Sequence, residues 1–167
     1  INPENIKKQN AFEQKIQKWI KDNSSARTSA ITIPVVVHII YKNNTENISD
    51  AQIQSQIDVL NEDFRRLNQD ASNTPLDFMP YAADMQIEFC LAKRYLGVPT
   101  NGIVRKQTSL PEFPLYSDSV FFTNYGGSSA WNTNRYLNIW VCDIADSVMG
   151  WAQFPASANP QTDGIVI

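Results

Sequence analysis

The sequence predicts an α/β fold, a twisted, mostly parallel five-stranded sheet with packed helices. Three observations carry this. Residues 33–41, IPVVVHIIY, are almost continuously apolar, as in a central strand buried on both faces. A helical stretch at 49–68 and the run MQIEFCLA at 85–92 complete a strand–helix–strand unit, right-handed by default. Residues 135–167 then read as three strands in a row, at 136–144, 149–154 and 163–167, bounded by Gly, Pro, Asn and Asp.

In chain order, residues 2–22 read as a helix, with Asn2 as cap and Pro3 at the first helical position. Phe12, Ile16, Trp19 and Ile20 form a narrow apolar stripe, with five lysines mostly around it. The stripe reads as packing on the helix's own domain, with a membrane-surface or partner helix as the other reading. Residues 22–30, DNSSARTSA, are polar and non-periodic and read as a linker. In the first strand Pro34 belongs near the start, where a missing N–H is tolerated. His38 is the only histidine. A zinc site needs about three protein ligands, so His38 reads as a neutral core side chain hydrogen-bonded to backbone.

The helix at 49–68 opens with a capping box, Ser49 with Gln52, and a staple, Ile48 with Ile53. Ile53, Ile57, Leu60, Phe64 and Leu67 recur at helical spacing and make its buried face. Its carboxylates lie largely off that stripe and read as a solvated face. The turn before it, YKNNTEN, has no glycine-rich loop, so a nucleotide site loses its main support. Residues 93–134 form a long connection, with a short strand or hairpin arm at 102–108 and a turn capped by Ser128 or Ser129. Phe121, Phe122, Tyr125 and Trp131 read as packing under that loop. A serine nucleophile at Ser117, Ser128 or Ser129 would need His38 as base, and a central strand is a poor place for one.

The 167 residues suit one domain or part of one, and carry a net charge of −3. No basic stripe alternates with aromatics, which argues against nucleic acid. No apolar run approaches the ~20 residues of a transmembrane helix, and the start lacks an apolar signal core. The piece at 149–154 has Gly150 near its start and Pro155 after it, which suits an edge strand. A free edge can pair with an extended peptide.

The phrases YLNIWVC at 136–142, MGWAQFP at 149–155 and DGIVI at 163–167 resemble the pappalysin family of zinc metalloproteases, metzincins with ulilysin-like and cytophagalysin-like members. IPVVVHIIY and ISDAQIQSQIDVLNEDFRRLN, at 48–68, resemble that family's first strand and first helix. The resemblance covers residues 31–167 and implies the upper subdomain of a metzincin catalytic domain. It implies that the fourth strand is antiparallel and lines a cleft, binding the backbone of a protein or peptide substrate at Gly150, Trp151, Ala152, Gln153 and Phe154. It makes residues 1–30 the tail of a propeptide, with self-maturation near Arg27. It implies a secreted or cell-surface zinc endopeptidase, in which three histidines hold zinc and a glutamate is the general base. That family motif, His-Glu-x-x-His-x-x-Gly-x-x-His, lies beyond the strand where this chain ends and is not in this sequence. No catalytic or metal residue is therefore expected here, and the chain alone is expected to be inactive. The family's calcium ligands also fall downstream. The family's sheet order puts Cys90 and Cys142 on strands that flank a third, about 9.6 Å apart, which favours buried thiols over a disulfide. A half-domain is expected to expose an apolar sheet face and to self-associate through it. The competing reading is a non-catalytic binding module that reuses the same half.

Overall fold

The computed structural model describes residues 3–23, 29–153 and 159–167. Asn2, Arg27, Phe154 and Pro155 lie outside the described residues. Helix α1 (Pro3–Asp22) is followed by β1 (Ile31–Tyr41), α2 (Asp50–Phe64), β2 (Ile87–Leu91), β3 (Arg94–Tyr95), β4 (Val98–Pro99), β5 (Ile103–Gln107), β6 (Leu137–Val141), β7 (Trp151–Ala152) and β8 (Ile165–Val166). The sheet runs in the order β2-β1-β6-β8-β7, all parallel except β7, which is antiparallel to β8. The sequence predicted five strands, and β5 is a sixth.

Strand β1 organises the sheet. One edge pairs with β6, from Val35↔Leu137 to Ile39↔Val141. The other edge pairs first with β2 and then with β5, which lie end to end along it. The chain leaves this edge at Ala92, whose N–H bonds Val35 O at 2.8 Å, makes the β3–β4 hairpin, and returns at Gly102, whose carbonyl accepts from Val37 N at 2.9 Å. A Cβ at Gly102 would stand 2.6 Å from Ala92 N, so only glycine lets the returning chain come this close. The bonds of Ile31 N and Val37 N put the odd residues of β1 on the β2/β5 edge. Pro34 therefore turns its missing N–H to the β6 edge, one residue before that pairing begins.

Both faces of β1 are covered. Val35, Val37 and Ile39 meet Ile53 and Ile57 of α2, with Leu60 and Phe64 alongside. Ile40 joins Phe113, Val120, Phe121, Trp140, Ile144 and Val166 on the other face. This corrects the expectation of a bare apolar sheet face. The long connection after β5 folds over it, and residues 35–40 are all buried. Helix α1 departs from expectation in the other direction. Phe12, Trp19 and Ile20 are exposed, and no α1 residue belongs to either cluster.

Helix α2 starts as predicted, with Ser49 Oγ accepting from Gln52 N at 3.2 Å. It ends four residues earlier than predicted. Arg66 takes a left-handed φ of 52°, its N–H bonds Asp63 O, and Leu67 N bonds Glu62 O at 2.7 Å. This is a Schellman termination with arginine where glycine is usual. It swings Leu67 off the buried face, where it is 72% exposed.

His38 is fully buried. Its partners are side chains, not the backbone the sequence suggested: Ser128 Oγ lies 2.9 Å from Nδ1 and Asn138 Oδ1 3.0 Å from Nε2. The Asn138 amide is oriented by backbone, since Oδ1 accepts from Trp131 N and Nδ2 donates to Trp131 O. An accepting Oδ1 makes His38 Nε2 the donor, so Nδ1 accepts from the Ser128 hydroxyl. Burial lowers the His38 pKa from 6.5 to about 4, with the Asn138 hydrogen bond opposing. The ring also stacks on Trp140, centroids 5.1 Å apart.

At the β2 edge, Asn61 of α2 stands in for a neighbouring strand. Its Nδ2 donates to Phe89 O at 3.0 Å and its Oδ1 accepts from Phe89 N at 2.6 Å.

Two predictions follow from these contacts. The folded His38 pKa lies below the unfolded value, so the unfolded chain binds a proton that the fold refuses. This contribution is complete above pH 6.5 and is lost as pH falls toward 4, about 3 kcal/mol in all. Urea midpoints between pH 8 and 4 should show that fall. The chain's one histidine gives one ring Cε1–H resonance, which should not titrate above pH 5. Asn61→Ala should cost about 1 kcal/mol in urea unfolding. It should also cause concentration-dependent association in sedimentation, because it frees the Phe89 backbone groups to pair.

Candidate functional site

The other end of the sheet is β7. Which of its backbone groups are free follows from the bonds of Ile167. Ile167 N donates to Trp140 O at 2.9 Å and Ile167 O accepts from Cys142 N at 3.0 Å, so Ile167 faces β6. Neighbouring residues of a strand turn their N–H and C=O to opposite edges, so Val166 faces β7. Trp151, in register with Val166, is then the residue hydrogen-bonded to β8. Ala152, opposite Ile165, turns its N–H and C=O outward, and Gly150 does the same by alternation.

The residues around this edge explain its position. Gly150 has φ +155°, and a Cβ there would lie 2.3 Å from Val166 O. Only glycine therefore lets β7 begin against β8. The Trp151 side chain packs on the cluster formed by Trp140 and Val166, and Tyr116 meets it edge-on at 6.0 Å. Gln153 Nε2 donates to Thr162 Oγ1 at 3.2 Å, and Thr162 is buried. This bond ties the end of β7 to the segment entering β8.

Of the five residues singled out in the sequence, Gly150, Trp151, Ala152 and Gln153 are therefore contiguous at a sheet edge that no other described strand pairs. Phe154 lies outside the described residues. Their contributions differ: Gly150 and Ala152 present backbone outward, while Trp151 and Gln153 fasten the strand. Thr162 and Tyr116 were not singled out as site residues, because their role depends on a pairing that spacing does not reveal.

Ser128 and His38 do touch, but both are buried, and the pair serves the core and not a reaction. Ser117 caps a short turn by accepting from Ser119 N, and Ser129 bonds Thr123. Cys90 and Cys142 are free, with β1 between their strands. Burial, with Asp143 adding, pushes the Cys142 thiol up to about 12, so it stays protonated. Burial also raises the Asp163 carboxyl. Both nitrogens of His38 are committed. Among the described residues no group of three or more His, Cys, Asp or Glu could hold a metal ion. The described residues therefore offer zinc no such ligand group. Among the described residues no helix is long and apolar enough to cross a membrane.

No family model matches the chain, and none of the curated proteins does. Solved structures do. Mature mirolysin of Tannerella forsythia, in complex with a cleaved peptide, is 56% identical over 84% of this chain and 53% of its own, with a TM-score of 0.80. Mirolysin in complex with a ligand designated compound 9 matches over the same shares at 56% identity and a TM-score of 0.79. A promirolysin mutant of Tannerella forsythia is 52% identical over 92% of this chain and 52% of its own, with a TM-score of 0.80. The chain spans about half the length of these structures. On this likeness, at 52–56% identity over most of its residues, the chain belongs to the pappalysin family of ulilysin-like metzincins.

Proposed function

We propose that the chain is the N-terminal part of a secreted zinc metalloendopeptidase, and that its share of the work is to hold the substrate backbone along the outer edge of β7. The observation that carries this is the open edge itself, with the N–H and C=O groups of Gly150 and Ala152 turned outward. An extended peptide laid against it adds a strand to the sheet. The mirolysin structure with a cleaved peptide supports a peptide ligand. Zinc and its general base belong, on this reading, to residues beyond 167, so the chain alone has no hydrolytic activity. Residues 1–30 are the tail of a propeptide and 31–167 the upper subdomain. The wider match to the promirolysin form, 92% of the chain against 84% for the mature form, supports that division.

Each backbone bond contributes about 0.5–1.5 kcal/mol net, and an unpaired partner left behind costs about 1–3 kcal/mol. Ala152→Pro removes one outward N–H without removing a bond to β8. In the full-length protein it should lower kcat/KM for peptide hydrolysis about tenfold or more, while the melting temperature holds. Gln153→Ala should cost less, since side chains there set shape. Trp151→Pro should instead lower the melting temperature, because its N–H faces β8. Wild-type kcat/KM in Ala152→Pro would rule out the edge as the binding element.

One observation favours a non-catalytic binding module as a second reading. Both faces of β1 are covered by the chain's own residues, so this half has a core of its own. A longer protein that binds peptides at this edge, contains no zinc and hydrolyses nothing would establish the module and end the protease reading.

A further inference from the structure

Strain gathers around the open edge. Among the described residues, six other than glycine have positive φ, and three of them, Tyr116, Asp146 and Ser147, lie in the segments that lead to or pack on β7. Tyr116 is the bulkiest of the three, at φ +60°, a conformation a large side chain rarely adopts. It is also 74% exposed, so burial of its ring does not hold it there. The turn that carries it is pinned on both sides. Phe113, buried, donates to Asp143 O at 2.8 Å and accepts from Ala145 N at 3.0 Å. Ser117 N bonds Pro114 O at 3.0 Å, and Ser117 Oγ accepts from Ser119 N at 3.2 Å. An exposed aromatic ring is thus held beside Trp151 by a fixed backbone. Such outliers persist where the surroundings over-determine them, often at ligand clamps.

A peptide added to β7 alternates its side chains between the two faces of the sheet. The residue opposite Trp151 places its Cβ about 5 Å from that of Trp151, on the same face. That is the face where the Tyr116 ring stands. We infer that Tyr116 and Trp151 form a notch that selects a bulky apolar substrate side chain, best an aromatic one, at the position opposite Trp151. Two rings at 67° to each other offer an edge and a face to such a side chain. The inference rests on β7 being the edge that binds substrate backbone.

The test uses the full-length protein and quenched fluorescent peptides in which one Phe, Ala or Lys is moved through the positions around a fixed scissile bond. One position should favour Phe over Ala by about tenfold. Tyr116→Ala should bring that ratio to about one, while Tyr116→Phe keeps the preference. Tyr116→Gly should lose it too, with a melting temperature equal to or above wild type, because the backbone strain is relieved. The notch is overturned if no position prefers Phe, if Lys is preferred over Phe there, or if Tyr116→Ala slows Phe and Ala peptides alike. Ala152→Pro keeps the two readings apart. Full activity in that variant removes the edge itself, whereas lost activity there with an unchanged Phe/Ala ratio in Tyr116→Ala removes only the notch.

Discussion

A histidine in the middle of a strand sealed on both faces must find all its partners inside the protein, and the rest of the structure is arranged around that demand. Water cannot reach His38, and each buried polar group left unpaired would cost about 1–3 kcal/mol. Asn138 on the adjoining strand answers one nitrogen and Ser128 the other. Each partner is itself fixed. The Asn138 amide bonds Trp131 N and O, and the Ser128 carbonyl accepts from Trp140 Nε1 at 2.7 Å. The loop at 128–131 is thereby tied to β6, and the long connection that carries it covers one face of the sheet. That cover contains Phe113, Val120 and Phe121, in the same cluster on which Trp151 rests. A run of contacts thus leads from the core histidine to the candidate site.

Two of the sheet's outer strands, β2 and β7, are treated in opposite ways. At β2 the backbone of Phe89 is met by the Asn61 side chain, which has the donor and acceptor of a peptide group. At β7 no hydrogen bond among the described residues reaches outward, and the strand is only two residues long. A short edge strand limits mispairing with other copies, yet its free groups still suit one extended ligand. Glycine at 150 lets the strand begin against the Val166 carbonyl, and the Gln153–Thr162 bond holds its end. The open edge is held at both ends and free along one side.

How far the sequence could be read depended on where the signal lay. The order of the main elements followed from apolar runs and from the Ser49 cap, because burial and capping act locally. The end of α2 did not, because arginine occupies the left-handed position that glycine usually marks. The continuation of β1's edge by β5 was half visible as a short strand at 102–108, but not its place in the sheet, which depends on a return governed by contact between Gly102 and Ala92. The antiparallel sense of β7 came from resemblance, since two residues carry no periodicity. Asn138 did carry a signal. An asparagine inside the apolar run YLNIWVC marks a buried amide that needs partners, and the chain's one histidine was the obvious one to ask about.

Backbone recognition is blind to side chains, and this has a consequence for the division of labour at the edge. Gly150 and Ala152, whose groups face outward, bring at most a methyl between them. Under the proposed function they would align many peptides and distinguish few. Any selectivity this half of the protein supplies must therefore come from side chains beside the edge, held in place by something other than the edge. Trp151 is such a side chain, anchored on the core by its own strand's bond to β8. Tyr116 is the other, held by a separate turn and kept in a backbone conformation that costs free energy. A core that seats one ring and a strained turn that presents another are two independent supports for one small surface. Independent supports matter because a substrate side chain gains only what the surface need not lose by rearranging, and a surface already fixed loses little.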